Sequence, residues 1–290
     1  DLLRCNNYIC HMFVAEKNLV DQVGLLNPAF DGAQDYDFIF RCTEQADGIC
    51  HIPKILYHWR AHAASTAEDP AAKRYAFEAG KRAIEAHLAR QGLAAVVDGA
   101  APGYYQVSYL VQGEPLVSIV IPNKDHVDDL KKCIDAIEQR STYRNYEIII
   151  VENNSVQQET FAYYESLVEN PHIQVLYWQE EFNYSKINNF GVAHTKGKYI
   201  LLLNNDTELI SPDFITQMLG YCQRKDVGIV GARLYFEDGT IQHAGVIVGI
   251  GGIAGHAFSA MDEQAGIYQL RTSVACDYSA VTAACLMISR

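Results

Sequence analysis

From residue 116 onward the hydrophobic pattern alternates between two periods. Val117-Ser-Ile-Val-Ile121 is a β-branched run closed by Pro122, and residues 126–138 follow with Val127, Leu130, Ile134 and Ile137 at helical spacing. Glu147-Ile-Ile-Ile-Val151 predicts the next strand, 157–168 a helix, Ile173-Gln-Val-Leu-Tyr177 a third strand and 183–194 a further helix. Tyr199-Ile-Leu-Leu-Leu203 predicts a fourth strand. Ser211-Pro212 then reads as an N-cap with Pro at the first helical position, opening a helix to about Gln223. Apolar runs separated by helices predict a mostly parallel sheet covered on both faces. Beyond Gly228 the pattern turns strand-rich, with a hairpin at Asp238-Gly239 and a last strand over 281–289.

The first part of the chain follows another pattern. Residues 10–15 predict a short strand, 37–46 a helix and 49–59 an extended segment broken by Pro53. Residues 71–90, rich in Ala, Lys, Arg and Glu, predict a solvated helix stopped at Gly92. Residues 93–115, with Gly99, Pro102 and Gly103, read as a connector holding one strand over 105–111. The expected class is α/β, with a module boundary in that connector.

A chain of 290 residues accommodates one large or two ordinary domains. Its formal net charge of −12 argues against a nucleic-acid partner, and it means that an anionic ligand would need a cation or local basic groups. No apolar run approaches the ~18–20 residues of a membrane span, and no signal peptide opens the chain. The start at Asp1 without Met reads as a piece of a longer protein. The eight cysteines form no C-x-x-C pair, and several sit in apolar patterns as buried thiols do. A reducing cytoplasm is the expected setting, either free or peripheral at the inner face of the membrane.

The chemistry gathers where the strands end. Pro122-Asn-Lys-Asp125, Glu152-Asn-Asn-Ser155 and Asn204-Asn-Asp206 are polar clusters directly after apolar runs. Open α/β sheets bind ligands outside the carboxyl ends of their strands. Hard cations take oxygen ligands and let substrate phosphates complete the shell, so the Asn-Asn-Asp cluster suits a metal-diphosphate platform. Glu152 could accept hydrogen bonds from a base or ribose, and Lys186 could meet a phosphate. Taken singly, each cluster is also what any strand-to-helix turn contains.

These residues carry a resemblance. Val117-Ser-Ile-Val-Ile-Pro122, Glu147-Ile-Ile-Ile-Val-Glu-Asn-Asn-Ser155, Phe182-Asn-Tyr-Ser-Lys-Ile-Asn-Asn-Phe-Gly191, Gly197-Lys-Tyr-Ile-Leu-Leu-Leu-Asn-Asn-Asp-Thr-Glu208 and Gly239-Thr-Ile-Gln-His-Ala-Gly245 resemble the family 2 glycosyltransferases. The resemblance implies a GT-A-type fold. It also implies a nucleoside diphosphate sugar donor, UDP- or dTDP-linked by preference, and Mn²⁺ or Mg²⁺. Glu152 then takes the place of the acidic residue at the base or ribose, and Asp206 that of the last Asp in the metal-binding D-x-D. Two of that motif's oxygens come here from Asn204 and Asn205. Pro122, Lys124, Asp125, Asn154, Lys186 and Asn189 complete the expected donor site.

The amino-terminal part resembles the acceptor-side half of the same family. Gly32-Ala-Gln-Asp-Tyr-Asp-Phe-Ile-Phe-Arg41 is similar to the motif whose Asp is the general base, a role this places on Asp35, with Gln34 where Glu is more usual. Ile52-Pro-Lys-Ile-Leu-Tyr-His-Trp-Arg-Ala-His62 resembles the segment in which His helps hold the metal or diphosphate, pointing to His58 and His62. Read alone, Asp35 would suit a helix N-cap and the two histidines ordinary structural positions.

The halves stand in permuted order: acceptor side at 1–68, helix and connector at 69–115, nucleotide-sugar side at 116–290. Cys10-His-Met-Phe-Val-Ala-Glu16 resembles Ala284-Cys-Leu-Met-Ile-Ser-Arg290, so each end holds one copy of the same strand. This is the pattern of a tandem protein with two modules. The expected activity is metal-dependent, inverting transfer of a hexosyl or rhamnosyl unit to a glycan or lipid-linked glycan of the bacterial cell envelope. The alternative is a fragment that binds nucleotide sugar without turnover. Val246-Ile-Val-Gly249-Ile-Gly251-Gly-Ile-Ala254 also mimics a dinucleotide fingerprint, which would make an oxidoreductase, but no convincing helix pattern follows it.

Overall fold

The structure, a computed structural model, describes residues 1–10, 12–58, 74–262 and 271–290. It divides into two compact units, residues 1–110 with 263–277, and residues 111–262 with 278–290. No helix among the described residues is long and apolar enough to cross a membrane.

The first unit contains helices α1 (Leu2–Cys5), α2 (Lys17–Val23), α3 (Gln34–Gln45) and α4 (Arg74–Arg90), followed by an antiparallel hairpin of β1 (Ala95–Ala101) and β2 (Tyr104–Tyr109). Among the described residues the strand expected over 10–15 does not form, and Met12–Glu16 has no strand partner there. The helix expected to be solvated instead buries Ala79, Gly80, Ala83, Ile84, His87 and Leu88. Its small residues allow close approach: the Tyr105 hydroxyl lies over Gly80 and donates to the Phe77 carbonyl at 2.9 Å. The connector holds two strands rather than one. Strand β1 is Ala-Val-Val-Asp-Gly-Ala-Ala, too poor in strand formers to announce itself, and its pairing of Val97 with Val107 supplies the missing preference.

The second unit is built on β3 (Val117–Asn123), α5 (Val127–Arg140), β4 (Tyr146–Glu152), α6 (Gln158–Ser166), β5 (Ile173–Tyr177), α7 (Tyr184–Ala193), β6 (Tyr199–Leu203) and α8 (Phe214–Cys222). Short strands follow: β7 (Ile229–Gly231), β8 (Leu234–Tyr235), β9 (Ile241–His243), β10 (Val246–Val248), β11 (Ala254–His256) and β12 (Cys285–Ser289). The main sheet runs β5-β4-β3-β6-β12-β7; its first four strands are parallel, and β12 is antiparallel to both neighbours. Leu130, Ile134 and Ile137 of α5 with Ile215 and Leu219 of α8 cover one face of this sheet. On the other face Ile187 of α7 meets Val120, Ile149 and Val151. A Cβ at Gly191 would come within 2.5 Å of Val120, so only glycine lets α7 lie this close.

One local expectation is corrected, and one reading already doubted in the sequence is removed. The N-cap of α8 is Asp213, not Ser211, because the Pro212 carbonyl is taken by the Thr142 amide at 2.8 Å and the helix starts after it. The glycine-rich stretch forms the β10–β11 hairpin, with Gly249, Gly251 and Gly252 at positive φ, and no α-helix follows them among the described residues. That geometry removes the dinucleotide-binding reading. The Asp238-Gly239 turn forms as expected between β8 and β9, with Gly239 at φ +84°.

Candidate functional site

Strand order places a topological switch point between β3 and β6. The chain moves outward from β3 through β4 to β5, then returns to lay β6 on the opposite side of β3. Such a point leaves a crevice at the carboxyl ends, where open α/β sheets bind ligands. Here the β3–β6 pairing stops at Val120 opposite Leu202, whereas β3–β4 continues to Asn123 opposite Glu152. Pro122, with no N–H for a ladder, lies just past the place where β6 leaves β3.

One hydrogen-bond network ties the three strand ends together. The Asn205 side-chain amide donates to Asn123 Oδ1 at 2.7 Å across the crevice. Asn123 Nδ2 donates to the Tyr164 hydroxyl at 2.8 Å and to the Asp125 carbonyl at 3.0 Å. The Asp125 amide donates to Ser155 Oγ at 2.7 Å, and Asp125 Oδ1 accepts from the amides of Val156 and Gln157, both at 2.9 Å. Those donors, Gln157 first, hold the Asp125 carboxyl below the usual carboxylate range. Asp125, His126 and Asn154 all sit in left-handed backbone conformation, at φ 52°, 48° and 58°. Three such residues in the turns after β3 and β4 are local strain of the kind that gathers at ligand sites.

Glu152 lies at the floor of this network rather than on its surface. It is 2% exposed, and its carboxylate accepts from the Ser155 amide (2.5 Å), Ser155 Oγ (2.6 Å) and the Tyr164 hydroxyl (2.7 Å). Burial and the neighbouring Glu152 push the Tyr164 hydroxyl far up, so it stays a donor. Asn123, Ser155 and Tyr164, which hold the site, were not among the expected residues. The only signal for Tyr164 is its i, i+4 spacing from buried Thr160 on α6.

Around that floor the remaining candidates are accessible. Lys124, Asn154, Asn189 and Asp206 are exposed, and Asn204 is partly exposed. Asn154 donates to the Glu180 carbonyl at 3.0 Å, and Lys186 pairs loosely with Glu180 at 3.7 Å. The Asn204 amide is fixed by the Ala284 carbonyl at 2.9 Å, which ties the turn after β6 to the segment before β12. In that segment the Thr282 amide donates to His243 Nε2 at 3.4 Å. The His243 proton therefore sits on Nδ1 and points at His256 Nδ1, 3.0 Å away.

The site offers a metal limited means. Among the described residues no three His, Cys, Asp or Glu side chains cluster to hold one. Asp206 supplies a carboxylate that makes no hydrogen bond among the described residues, and Asn205 keeps its amide oxygen available while its nitrogen binds Asn123. This oxygen set fits a hard cation that keeps waters and takes ligand phosphates, not an all-protein cage.

The other expected site residues lie in the first unit's span. Asp35 is not an N-cap but the second residue of α3, partly exposed, with Oδ2 accepting from Asn7 at 3.1 Å. Gln34 instead turns its side chain back onto the Gly32 amide at 2.9 Å. His58 is exposed in a stretch without regular structure, and His62 lies outside the described residues.

Comparison with known proteins follows this geometry. The chain is 44% identical over 295 residues to Uncharacterized protein y4gI of Sinorhizobium fredii and 40% identical over 291 residues to O-antigen biosynthesis protein RfbC of Myxococcus xanthus. Both matches take in 100% of this chain but only 32% and 23% of those proteins, so it spans about a third and a quarter of their length. Among solved structures, mannosyltransferase PcManGT from Pyrobaculum calidifontis, in complex with GDP-Man and Mn²⁺, aligns at 14% identity and a TM-score of 0.39 over 43% of this chain and 37% of that one. Residues 118–262, half of the chain and nearly all of the unit that forms the crevice, match the family described as Glycosyl transferase family 2. The chain belongs to the family 2 glycosyltransferases.

Proposed function

We propose that this chain moves a hexosyl or rhamnosyl unit from a nucleoside diphosphate sugar to a cell-surface polysaccharide, within a tandem protein of two such modules. The observation that carries the donor side is the switch-point crevice, where Asn123, Asp125, Ser155 and Asn205 bind three strand ends into one floor. The polysaccharide acceptor, a glycan or lipid-linked glycan, is supported by the Myxococcus xanthus relative, which is named for O-antigen biosynthesis. The work would be done in the cytoplasm, either free or peripheral at the inner face of the membrane.

The nucleoside, UDP or dTDP by preference, would lie against Pro122–Asp125, where Asp125 keeps one carboxylate oxygen for a base or ribose donor. Glu152, with both oxygens engaged, would hold that loop in place instead of touching the ligand. Lys186 is weakly paired and free to turn to the phosphates, with Asn154 and Asn189 beside the same crevice mouth. Asp206, with the Asn204-Asn205 oxygens, would hold Mn²⁺ or Mg²⁺, which when bound neutralises charge on the leaving diphosphate. Asp35 would take the proton of the acceptor hydroxyl as its oxygen attacks the anomeric carbon and the bond to diphosphate breaks, inverting the centre. Asp35, His58 and His62 would serve the module whose acceptor half is residues 1–68, and residues 116–290 the donor half of the next.

A thermal-shift panel of UDP, dTDP, GDP and CMP, each with Mn²⁺ or EDTA, tests the donor site. Binding to the folded state alone at ~100 times Kd adds ~2.7 kcal/mol of stability. A rise with one nucleotide that needs metal and is lost in Asp206→Ala is expected; no rise with any nucleotide refutes the site. In the full-length Sinorhizobium fredii relative, which carries more than this chain, sugar transfer lost on Asp→Ala at the position aligned with Asp35, with nucleotide binding kept, would support the base. Transfer absent from the chain altogether would leave it a nucleotide-sugar-binding piece.

A further inference from the structure

We infer that Met12–Glu16 is a sheet strand without its sheet. Its partner is a nucleotide-binding half built like this chain's second unit but lacking its own last strand. This deepens the tandem reading above and rests on it.

The argument is an internal comparison. Cys10-His-Met-Phe-Val-Ala-Glu16 and Ala284-Cys-Leu-Met-Ile-Ser-Arg290 are two copies of one pattern. The second copy forms β12, paired on both edges: Met287 stands opposite Leu201 of β6 and Val230 of β7. Met287 is fully buried, and Leu286 and Ile288 are partly covered on the other face. In the first copy, Met12–Ala15 make no backbone hydrogen bond among the described residues; only the Glu16 carbonyl is used, by the Val20 amide of α2. Phe13, the counterpart of Met287, already packs edge-on to Phe38 of α3 at 5.9 Å. Met12 and Val14, the counterparts of Leu286 and Ile288, are 63% and 82% exposed. An apolar segment whose backbone makes no hydrogen bond among the described residues is a template for strand pairing.

The slot in this chain's own sheet is taken. Residues 285–289 fill it, and Arg290 locks it through its amide to the Lys198 carbonyl (2.8 Å) and its guanidinium to the carbonyls of Val192 (2.9 Å) and Thr195 (3.0 Å). A second copy presents the same filled slot. The partner must therefore be a different half-module with the slot open, and the relatives carry most of their length outside the matched region. The repeat also sets the register: Phe13 takes the place of Met287, antiparallel to a β6-like strand.

Hydrogen exchange read by mass spectrometry tests this on the 290-residue chain and on the full-length Sinorhizobium fredii relative. In the chain alone, amides of 12–16 are expected to exchange freely while 285–289 are protected. In the longer protein the segment aligned with 12–16 is expected to slow by about 100-fold or more. Val14→Pro, which removes a ladder donor, is expected to leave the melting temperature of the chain alone unchanged, and Val14→Thr is expected to do the same. Protection of 12–16 in a monomer of the chain alone, or in a dimer that Val14→Pro dissolves, would overturn the inference. So would free exchange of that segment in the longer protein. The readout is amide exchange, so a failed nucleotide panel leaves it intact.

Discussion

Glu44 and Glu152 are both buried carboxylates, one in each unit, and they are satisfied in opposite ways. Glu44 accepts from His87 Nδ1 at 2.6 Å and, through both oxygens, from Arg90 at 2.8 Å. Burial works to raise its pKa, but Arg90 and His87 outweigh it and hold Glu44 below the usual carboxylate value. Around that pair Asp37 binds Arg41 at 2.9 Å and approaches Arg90 at 3.6 Å, and the Arg4 guanidinium donates to His87 Nε2 at 3.1 Å. Cations thus cancel the charge where α1, α3 and α4 meet. Glu152 has only neutral donors, two from Ser155 and one from Tyr164. The first arrangement pins helices. The second fixes a loop at the crevice without bringing a cation to it, and Lys186 is paired only loosely with Glu180; that difference is what the proposed cation and diphosphate would exploit.

The largest effect should come from breaking the ionic cluster. Asp37 is 1% exposed, and Asp37→Ala would strand Arg41 without its carboxylate, while Arg90 keeps Glu44. Loss of one partner of a buried pair costs ~3–5 kcal/mol, so urea unfolding should show a drop of that order, with nucleotide binding at the crevice retained in the still-folded fraction. An Asp37→Ala chain of unchanged stability would mean that the cluster is not what holds these helices.

Next is Glu152→Gln. The amide is nearly isosteric, but its NH₂ must face one of three donors, so ~2 kcal/mol should be lost. Ser155 and with it Asp125 would also lose their hold, so nucleotide affinity should fall along with stability. A variant that loses affinity at full stability would instead put Glu152 in direct contact with the ligand.

Acid should separate the units by the same logic. His243 is 1% exposed; burial, and then the neighbouring His256, lower its pKa to about 4. Burial, ahead of the raising influence of Glu44, likewise lowers that of His87. A histidine whose folded pKa is depressed leaves the unfolded chain binding more protons, so stability falls as pH drops below about 6.5 and continues to fall toward the folded value. For His243 the loss between pH 6.5 and 5 should be on the order of 2 kcal/mol. Glu44, also depressed, adds a later loss below about 4.5. Thermal unfolding of His243→Asn and His87→Asn across pH 5–7.5 assigns each slope; an unchanged slope in both would remove the histidines from the account.

The parallel strands were legible because β3, β4 and β6 are uninterrupted apolar runs, a pattern buried sheets require. The polar cluster ending each run was legible for the same reason: composition changes abruptly where burial stops. What stayed hidden depends on contacts distant in sequence. Asn123 and Asn205 are 82 residues apart, and Tyr164 reaches Glu152 from α6 with no local pattern to mark it. The small residues of α4 and β1 read as solvent-facing or irregular because their preference is supplied by Phe40, Tyr105 and Val107 packing on them. Residues 12–15 look like a strand because they repeat the pattern of 286–289 in β12; among the described residues no strand lies beside them.

The smallest effect tests the network at its hinge. Tyr164 donates to Glu152 and accepts from Asn123, so Tyr164→Phe removes one bond from each while keeping the ring in the core. Ser155 still serves Glu152, and Asn123 keeps its bonds to Asn205 and the Asp125 carbonyl. The stability cost should therefore be only ~1 kcal/mol. Nucleotide affinity should fall by more than such a cost implies only if the crevice must be rigid to bind, because Asn123 is the link between the turn after β6 and the loop at Asp125. Equal affinity for Tyr164→Phe and the parent chain would show that the outer rim binds without help from its floor, and would move the source of affinity to Asp206, Asn205 and Lys186.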